Sequence, residues 1–316
     1  MSASHNSQGA IAIPPSPQQG HRRRISTAPT QKNVKEVILT DLRIEAWYPS
    51  FYPEELIGKL AERLFVCKWC FKYTTKLIQF MEHSKCCELQ TPGSIGTLLY
   101  EKGAISIYEV DGEENKLFAQ NLSLFAKLFL DTKSVFYDVT TFLYYILYHQ
   151  NPEEPNEPPR IVGFFSKEKL SWDSNNLACI CIFPPWQKLR FGQILMGVSY
   201  ELSKSDGRLG GPEKPLSELG RKAYIHYWAA TIARLVVRLP AKKKISVQEI
   251  TEATSILPED IIATLKEMDL MERKRDRDGH AYVNKSAVIS WMAMNRVDMM
   301  GPVDENAFVT QETIDE

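Results

Sequence analysis

The 316-residue sequence predicts a mixed α/β protein, and three observations carry that reading. Short apolar strand-like runs and amphipathic helical stretches follow one another without a fixed repeat. Six cysteines are confined to positions 67, 70, 86, 87, 179 and 181 rather than spread as a disulfide framework would be. A compact helical stretch follows Pro240. Apolar residues make up 44% of the chain, enough to bury a sizeable core in one large domain or two ordinary ones. The 38 Lys and Arg nearly cancel the 39 Asp and Glu, so nothing in bulk charge attracts nucleic acid or an anionic membrane, and such binding would need a local patch. Apolar runs fall short of the roughly 20 residues that span a bilayer. The first residues lack an apolar signal segment, and we expect a soluble intracellular protein without a membrane partner.

Residues 1–33 are rich in Ser, Pro, Gln and Gly and read as a disordered leader. Within them His21-Arg22-Arg23-Arg24 fits a nuclear address or a solvated charge run equally well. From Val34 the β-branched and aromatic content predicts a strand and a packed loop, opening an amino-terminal segment over 34–95. The core is placed at 96–239. There the alternation of 105–110, the pair Asp111-Gly112 and the run 116–119 predict a β-hairpin. Helical spacing follows at 122–130, strand formers at 135–148 and a Pro/Glu-rich loop at 151–159. Residues 161–165 and 177–183 read as buried strands. Helices are expected at 193–204, where Ile194, Val198 and Leu202 recur every four residues, and at 217–238. After the lysine run 242–244, helices at 247–253 and 258–268 and a wing-like strand at Tyr282-Val283-Asn284 make 240–300 a helix-turn-helix-like unit. That arrangement serves plain packing more often than DNA reading, so no strong sequence-specific nucleic-acid binding is expected. Residues 301–316 form an acidic tail, expected to be loose.

Cys67 and Cys70 are spaced as a metal knuckle, and His83 follows on a stretch, 74–85, that reads as helix. Helical positions four apart lie one above the other, so His83 and Cys87 face one point. Three thiolates and one imidazole make a closed tetrahedral zinc site, structural rather than catalytic. Cys86, three residues after His83, competes with Cys87 for the fourth place. The helix carries Lys76, Glu82 and Lys85 but no dense basic stripe, so this finger reads as a clamp or a protein-binding surface.

An apolar strand, the Pro184-Pro185 break, the loop Gln187-Lys188-Leu189-Arg190-Phe191-Gly192 and an amphipathic helix then lead to Gly210-Gly211-Pro212-Glu213-Lys214-Pro215. A strand edge at 179–183 leaves backbone N–H groups free to hold an acyl group and its oxyanion. The helix start after the loop offers N–H donors and a positive dipole to a pyrophosphate. Glu213, between two prolines, is placed as a general base.

These segments, with 67–73, 120–131, 163–168 and 176–180, resemble in the same order the MYST family of histone lysine acetyltransferases over about residues 40–290, and within it the fungal Something-About-Silencing branch. The resemblance implies an N-acetyltransferase-like core between a C2HC zinc finger and the helix-turn-helix-like unit. It implies acetyl-CoA as acetyl donor, structural Zn2+ at Cys67, Cys70, His83 and Cys87, and a nuclear enzyme acting on a histone tail, histone H4 foremost, inside a chromatin-modifying and silencing complex. Glu213 resembles the family's base and Cys179 its active-site cysteine, which is an acyl carrier or a wall of the site; direct attack is favoured, since a buried strand cysteine is usually inert. Lys133 resembles the lysine that becomes autoacetylated. Cofactor contacts are implied for Ile180, Cys181, Ile182, Gln187, Lys188, Leu189, Arg190, Phe191, Gly192, Gln193 and Ser217, and for His226, where the family more often has Ser. Arg190 departs from the family, which has Gly there; a positive φ at that place costs a non-glycine residue about 1–2 kcal/mol. A scaffold subunit with a weakened acetyltransferase fold and an acetyltransferase for non-histone proteins are the alternatives.

Overall fold

The computed structural model describes residues 31–240, 245–270, 283 and 285–309. The basic cluster at 21–24, the lysine run 242–244 and most of the wing-like segment lie outside the described residues; of that segment only Val283 is described, and it is buried. In chain order the elements are β1 (Val34–Leu39), β2 (Leu42–Glu45), α1 (Glu54–Ile57), β3 (Ala61–Val66), β4 (Tyr73–Thr74), α2 (Leu77–Cys86), β5 (Thr97–Lys102), β6 (Ile105–Asp111), α3 (Lys116–Lys127), β7 (Phe142–His149), β8 (Arg160–Glu168), β9 (Cys179–Ile182), α4 (Phe191–Ser205), α5 (Glu218–Arg238), α6 (Val247–Thr254), α7 (Pro258–Glu267) and α8 (Lys285–Asn295). This is the mixed α/β architecture the sequence predicts. No helix among the described residues is long and apolar enough to cross a membrane.

The strands form two sheets. A small one runs β2-β1-β3-β4, with β1 and β3 parallel, and a larger antiparallel meander runs β5-β6-β7-β8-β9. Period-two alternation gives the central strands β6, β7 and β8 buried residues on both faces. One face, with Val110, Tyr144, Ile146 and Phe164, shares a core with Val37 and Leu64 of the small sheet and with α3. The other, with Ile107, Tyr145, Leu147 and Phe165, packs under Leu195 and Val198 of α4. A third cluster joins α5 to α6, α7 and α8 through Trp228, Ile232, Ile250 and Ile261.

Two expectations are corrected. The hairpin predicted across Asp111-Gly112 does not form: Ile105–Asp111 is a strand, but Lys116–Lys127 is one continuous helix. Phe118, Leu122 and Phe125 recur at three- and four-residue spacing and are all at most 5% exposed, so residues 116–119 are the first turn of a buried helix. A four-residue apolar run carries too little periodicity to separate the two. The hairpin partner of β6 is β5, joined through Gly103 at φ +60°. The tail is not loose as far as it is described. Val309 N–H donates to Leu99 O at 2.9 Å, Phe308 stacks edge-on against Tyr100 at 5.2 Å, and Asp304 pairs with Lys102 at 2.7 Å.

Candidate active site and zinc knuckle

The knuckle forms where β3 runs out. Cys67 N–H donates to Lys72 O and Phe71 N–H to Cys67 O, with Phe71 at φ +57°, so the chain doubles back and presents both thiols to α2. The ligand atoms of Cys67, Cys70, His83 and Cys87 lie within 4.8 Å of one another. Cys70 Sγ and His83 Nε2 are 3.1 Å apart. α2 ends at Cys86, and Cys87, in extended backbone (φ −65°, ψ 125°), turns its buried thiol inward. The Cys86 thiol is exposed and donates to Glu82 O instead. A hydrogen bond from Cys70 pulls the Cys67 thiol down to about 5, while burial pushes Cys87 up. Three sulfurs and one imidazole with no open position fit a structural Zn2+, which would supply folding free energy and no chemistry.

The second constellation is assembled around β9. This strand is an edge of the meander, pairing on one side with β8 in the register Ser166↔Cys179 to Gly163↔Ile182, so its other side has no sheet partner among the described residues. Just before it, Leu177 bridges Pro212 in parallel, Asn176 N–H donates to Gly211 O at 2.9 Å and Glu213 N–H to Leu177 O at 2.8 Å. These bonds fix the Glu213 loop beside the entry to β9, two residues from Cys179. Glu213 is exposed overall, yet partial desolvation and then the Glu168 carboxylate hold its carboxyl above the usual carboxylate range; Lys133 pulls the other way and Asp173 adds to the rise. Such an upward shift suits a general base.

Lys133 is only 5% exposed and sits in the loop after α3. Its ammonium acts on Glu213 and on the Cys181 thiol. Lys127, also buried, donates to Leu130 O and Asp131 O at 3.3 and 3.0 Å and so fixes the turn leading to Lys133; nothing in residue spacing singles it out for this. Burial pushes Cys181 up to about 12, which leaves it a packing residue, whereas Cys179 is half-buried at the edge.

After a single 3-10 turn at Pro184–Trp186, the Gln187 amide donates to Ile182 O at 2.9 Å. Lys188 and Arg190 both take positive φ, 65° and 66°, so the place where the family has Gly does require the left-handed region. Arg190 is the N-cap of α4 without a side-chain cap bond, leaving the N–H groups of Phe191 and Gly192 without a capping side chain, while Gln193 N–H donates to Arg190 O at 2.9 Å. A Cβ on Gly192 would meet only Ile182 Cγ1, at 3.9 Å, so the protein's own packing does not demand glycine there. Exposed Lys188 and Leu189 flank the loop, and Ile180 and Ile182 are half-buried on β9. Gln193 donates to Ala223 O at 3.3 Å, which seats α4 on α5 and brings His226 to the loop's side, where burial and then Arg190 and Arg234 lower its pKa. Ser217 Oγ accepts from Gly220 N–H and caps α5.

Comparisons with known proteins assign the chain to a family. Residues 93–308 match the MOZ/SAS family and residues 31–87 the MYST family zinc finger domain. Histone acetyltransferase MOF of Drosophila melanogaster is 43% identical over 241 residues, 76% of this chain and 28% of that protein. The Tip60 homolog of Caenorhabditis elegans is 40% identical over 242 residues, 76% of this chain and 51% of its own. A putative MYST-like histone acetyltransferase 1 of Oryza sativa subsp. japonica is 39% identical over 244 residues, 77% and 52% respectively. The chain thus spans about half the length, or less, of these relatives. With one match covering the zinc knuckle and the other covering the meander, α4, α5 and the Glu213 loop, this chain belongs to the MOZ/SAS family and carries the MYST family zinc finger.

Proposed function

We propose that the protein is a histone lysine acetyltransferase that uses Glu213 as general base. The observation that carries this is the tether of the Glu213 loop to Leu177, which sets a carboxyl of raised pKa beside the open edge of β9. A lysine ammonium has a pKa near 10.4, so about one amine in two thousand is neutral at pH 7. Glu213 takes one proton from the substrate ammonium and the neutral amine attacks the acyl carbon directly; a C–N bond forms, the C–S bond breaks, and the departing thiolate takes the second proton from nitrogen. Acetyl-CoA, when bound, supplies the acetyl thioester. The edge N–H groups of 180–182 orient the acyl carbonyl and stabilise its developing negative charge. Residues 187–193 hold the pyrophosphate at the start of α4, with Ser217 and His226 at the rim. Cys179 walls the site, and Lys133, buried beside Glu213, is the chain's own acetylation site. Cys67, Cys70, His83 and Cys87 hold the zinc.

The names of the relatives support histone substrates and a chromatin-associated, nuclear role. Histone H4, companion subunits and a silencing role belong to this proposal, as do the divisions at 34–95, 96–239 and 240–300. The test is acetylation of nucleosomes by the purified protein or its complex with acetyl-CoA, with modified lysines mapped by mass spectrometry. Glu213→Gln should lower kcat by about a hundred- to ten-thousandfold without altering thermal unfolding, and should remove acetyl-Lys133. Full activity in that variant would remove the mechanism.

A further inference from the structure

The turn between α6 and α7 docks on the loop that carries Glu213. Gly210 N–H donates to Ser255 O at 3.4 Å, and a Cβ on Gly211 would sit 3.1 Å from both Asp260 Oδ2 and Leu257 Cδ1, so glycine lets the two segments meet. At this contact Lys214 Nζ donates to Asp260 Oδ1 at 2.7 Å, with Glu259 at 3.9 Å. Asp260 is 5% exposed and its second carboxylate oxygen has no hydrogen-bond partner among the described residues. A buried carboxylate with a single ionic partner is costly to fold unless that partner is held in place. Lys214 is the residue next to Glu213, and an ammonium on so short a tether would otherwise be free to reach that carboxylate.

We propose that Asp260 is a positioning residue for the reaction: it captures the Lys214 ammonium on the α7 side of the loop and so keeps the nearest cation in sequence from neutralising Glu213. The helix-turn-helix-like unit then acts as a holder of the catalytic loop rather than as a reader of DNA. An opposite charge within about 4–6 Å lowers a carboxyl pKa by about 1–3 units, which would return Glu213 to the ordinary carboxylate range or below it. The charged groups acting on Glu213 are Glu168 at the end of β8, Asp173 in the following loop and Lys133 in the loop after α3. Those around Asp260 are Lys214 and Glu259, with the Tyr200 and Tyr224 hydroxyls behind it. The inference rests on Glu213 being the base.

The experiment is the pH profile of kcat on one lysine peptide for the full chain, Asp260→Asn, Lys214→Met and the double variant, with acetyl-CoA saturating. Asp260→Asn should move the acid limb down by about one pH unit or more and lower kcat severalfold at neutral pH. The double variant, with no ammonium left to misplace, should return the limb to its original position. An unmoved limb in a folded Asp260→Asn protein, or a shift that persists in the double variant, overturns the proposal. Should Asp260→Asn fail to fold, the Lys214 Nζ chemical shift, followed by NMR in the otherwise unaltered chain, should be indifferent to Glu213→Gln; a clear change there would place the ammonium on Glu213 and overturn it equally. If Glu213→Gln keeps full activity, the base assignment fails; if only the Asp260 limb stays put, the positioning role alone fails.

Discussion

The zinc knuckle and the Glu213 site solve opposite problems. The knuckle draws its four donors from residues 67 to 87, buries two of the thiols and leaves no open position. The Glu213 loop is held by Leu177 just before β9 and by Asp260 of α7, segments far apart in the chain, and leaves the Glu213 residue exposed. A closed cluster is worth most to folding, since ligands scattered in the unfolded chain give back their binding energy only when the chain is ordered. An open, assembled arrangement stays tunable, because each neighbour sets part of the Glu213 carboxyl's proton affinity.

The contrast can be broken most forcefully at Cys87. Cys87→Ser should release zinc and unfold the amino-terminal segment, read as loss of bound metal and of the upper thermal transition, while Cys86→Ser should leave both as they are. Equal effects would mean that the ligand set is wrong. Next in size is Phe125, fully buried against Phe71 of the knuckle turn at 5.2 Å and Phe183 after β9 at 4.9 Å. It packs against both regions, which also meet directly through Phe71 and Phe183 at 5.8 Å. Phe125→Ala should cost about 3–5 kcal/mol in chemical denaturation and weaken both together; loss confined to one region would show that they fold independently. The smallest effect belongs to Arg190→Gly. Relief of a left-handed non-glycine residue should raise stability by about 1–2 kcal/mol, and calorimetry with acetyl-CoA then separates strain from use. Weaker binding means that the guanidinium contacts phosphate, and tighter binding means that it crowds the site.

The knuckle was legible because its information is local: a two-residue gap, a helix and a spacing. Even so, helical geometry alone left Cys86 and Cys87 open, and the choice came from where α2 stops, a boundary that sequence marks poorly. The loop that opens α4 was legible by the same token, down to the positive φ at Arg190. Asp260 was not. It lies 46 residues beyond Lys214 on a helix whose pattern reads as ordinary packing, and no period or motif links the two. The missed helix at 116–119 and the folded tail share that cause: burial decided both, and burial is a property of what arrives from elsewhere in the chain.

The strap made by Asp304, Phe308 and Val309 along β5 has a consequence for how the meander meets other molecules. A five-stranded sheet has two rims able to recruit a stray extended segment. The strap occupies one of them with the chain's own residues, through the Tyr100–Phe308 bridge and the Val309–Leu99 hydrogen bond. Among the described residues the β9 rim keeps its backbone uncovered by another strand, so one border of the sheet is guarded against clumping and the opposite border is left open.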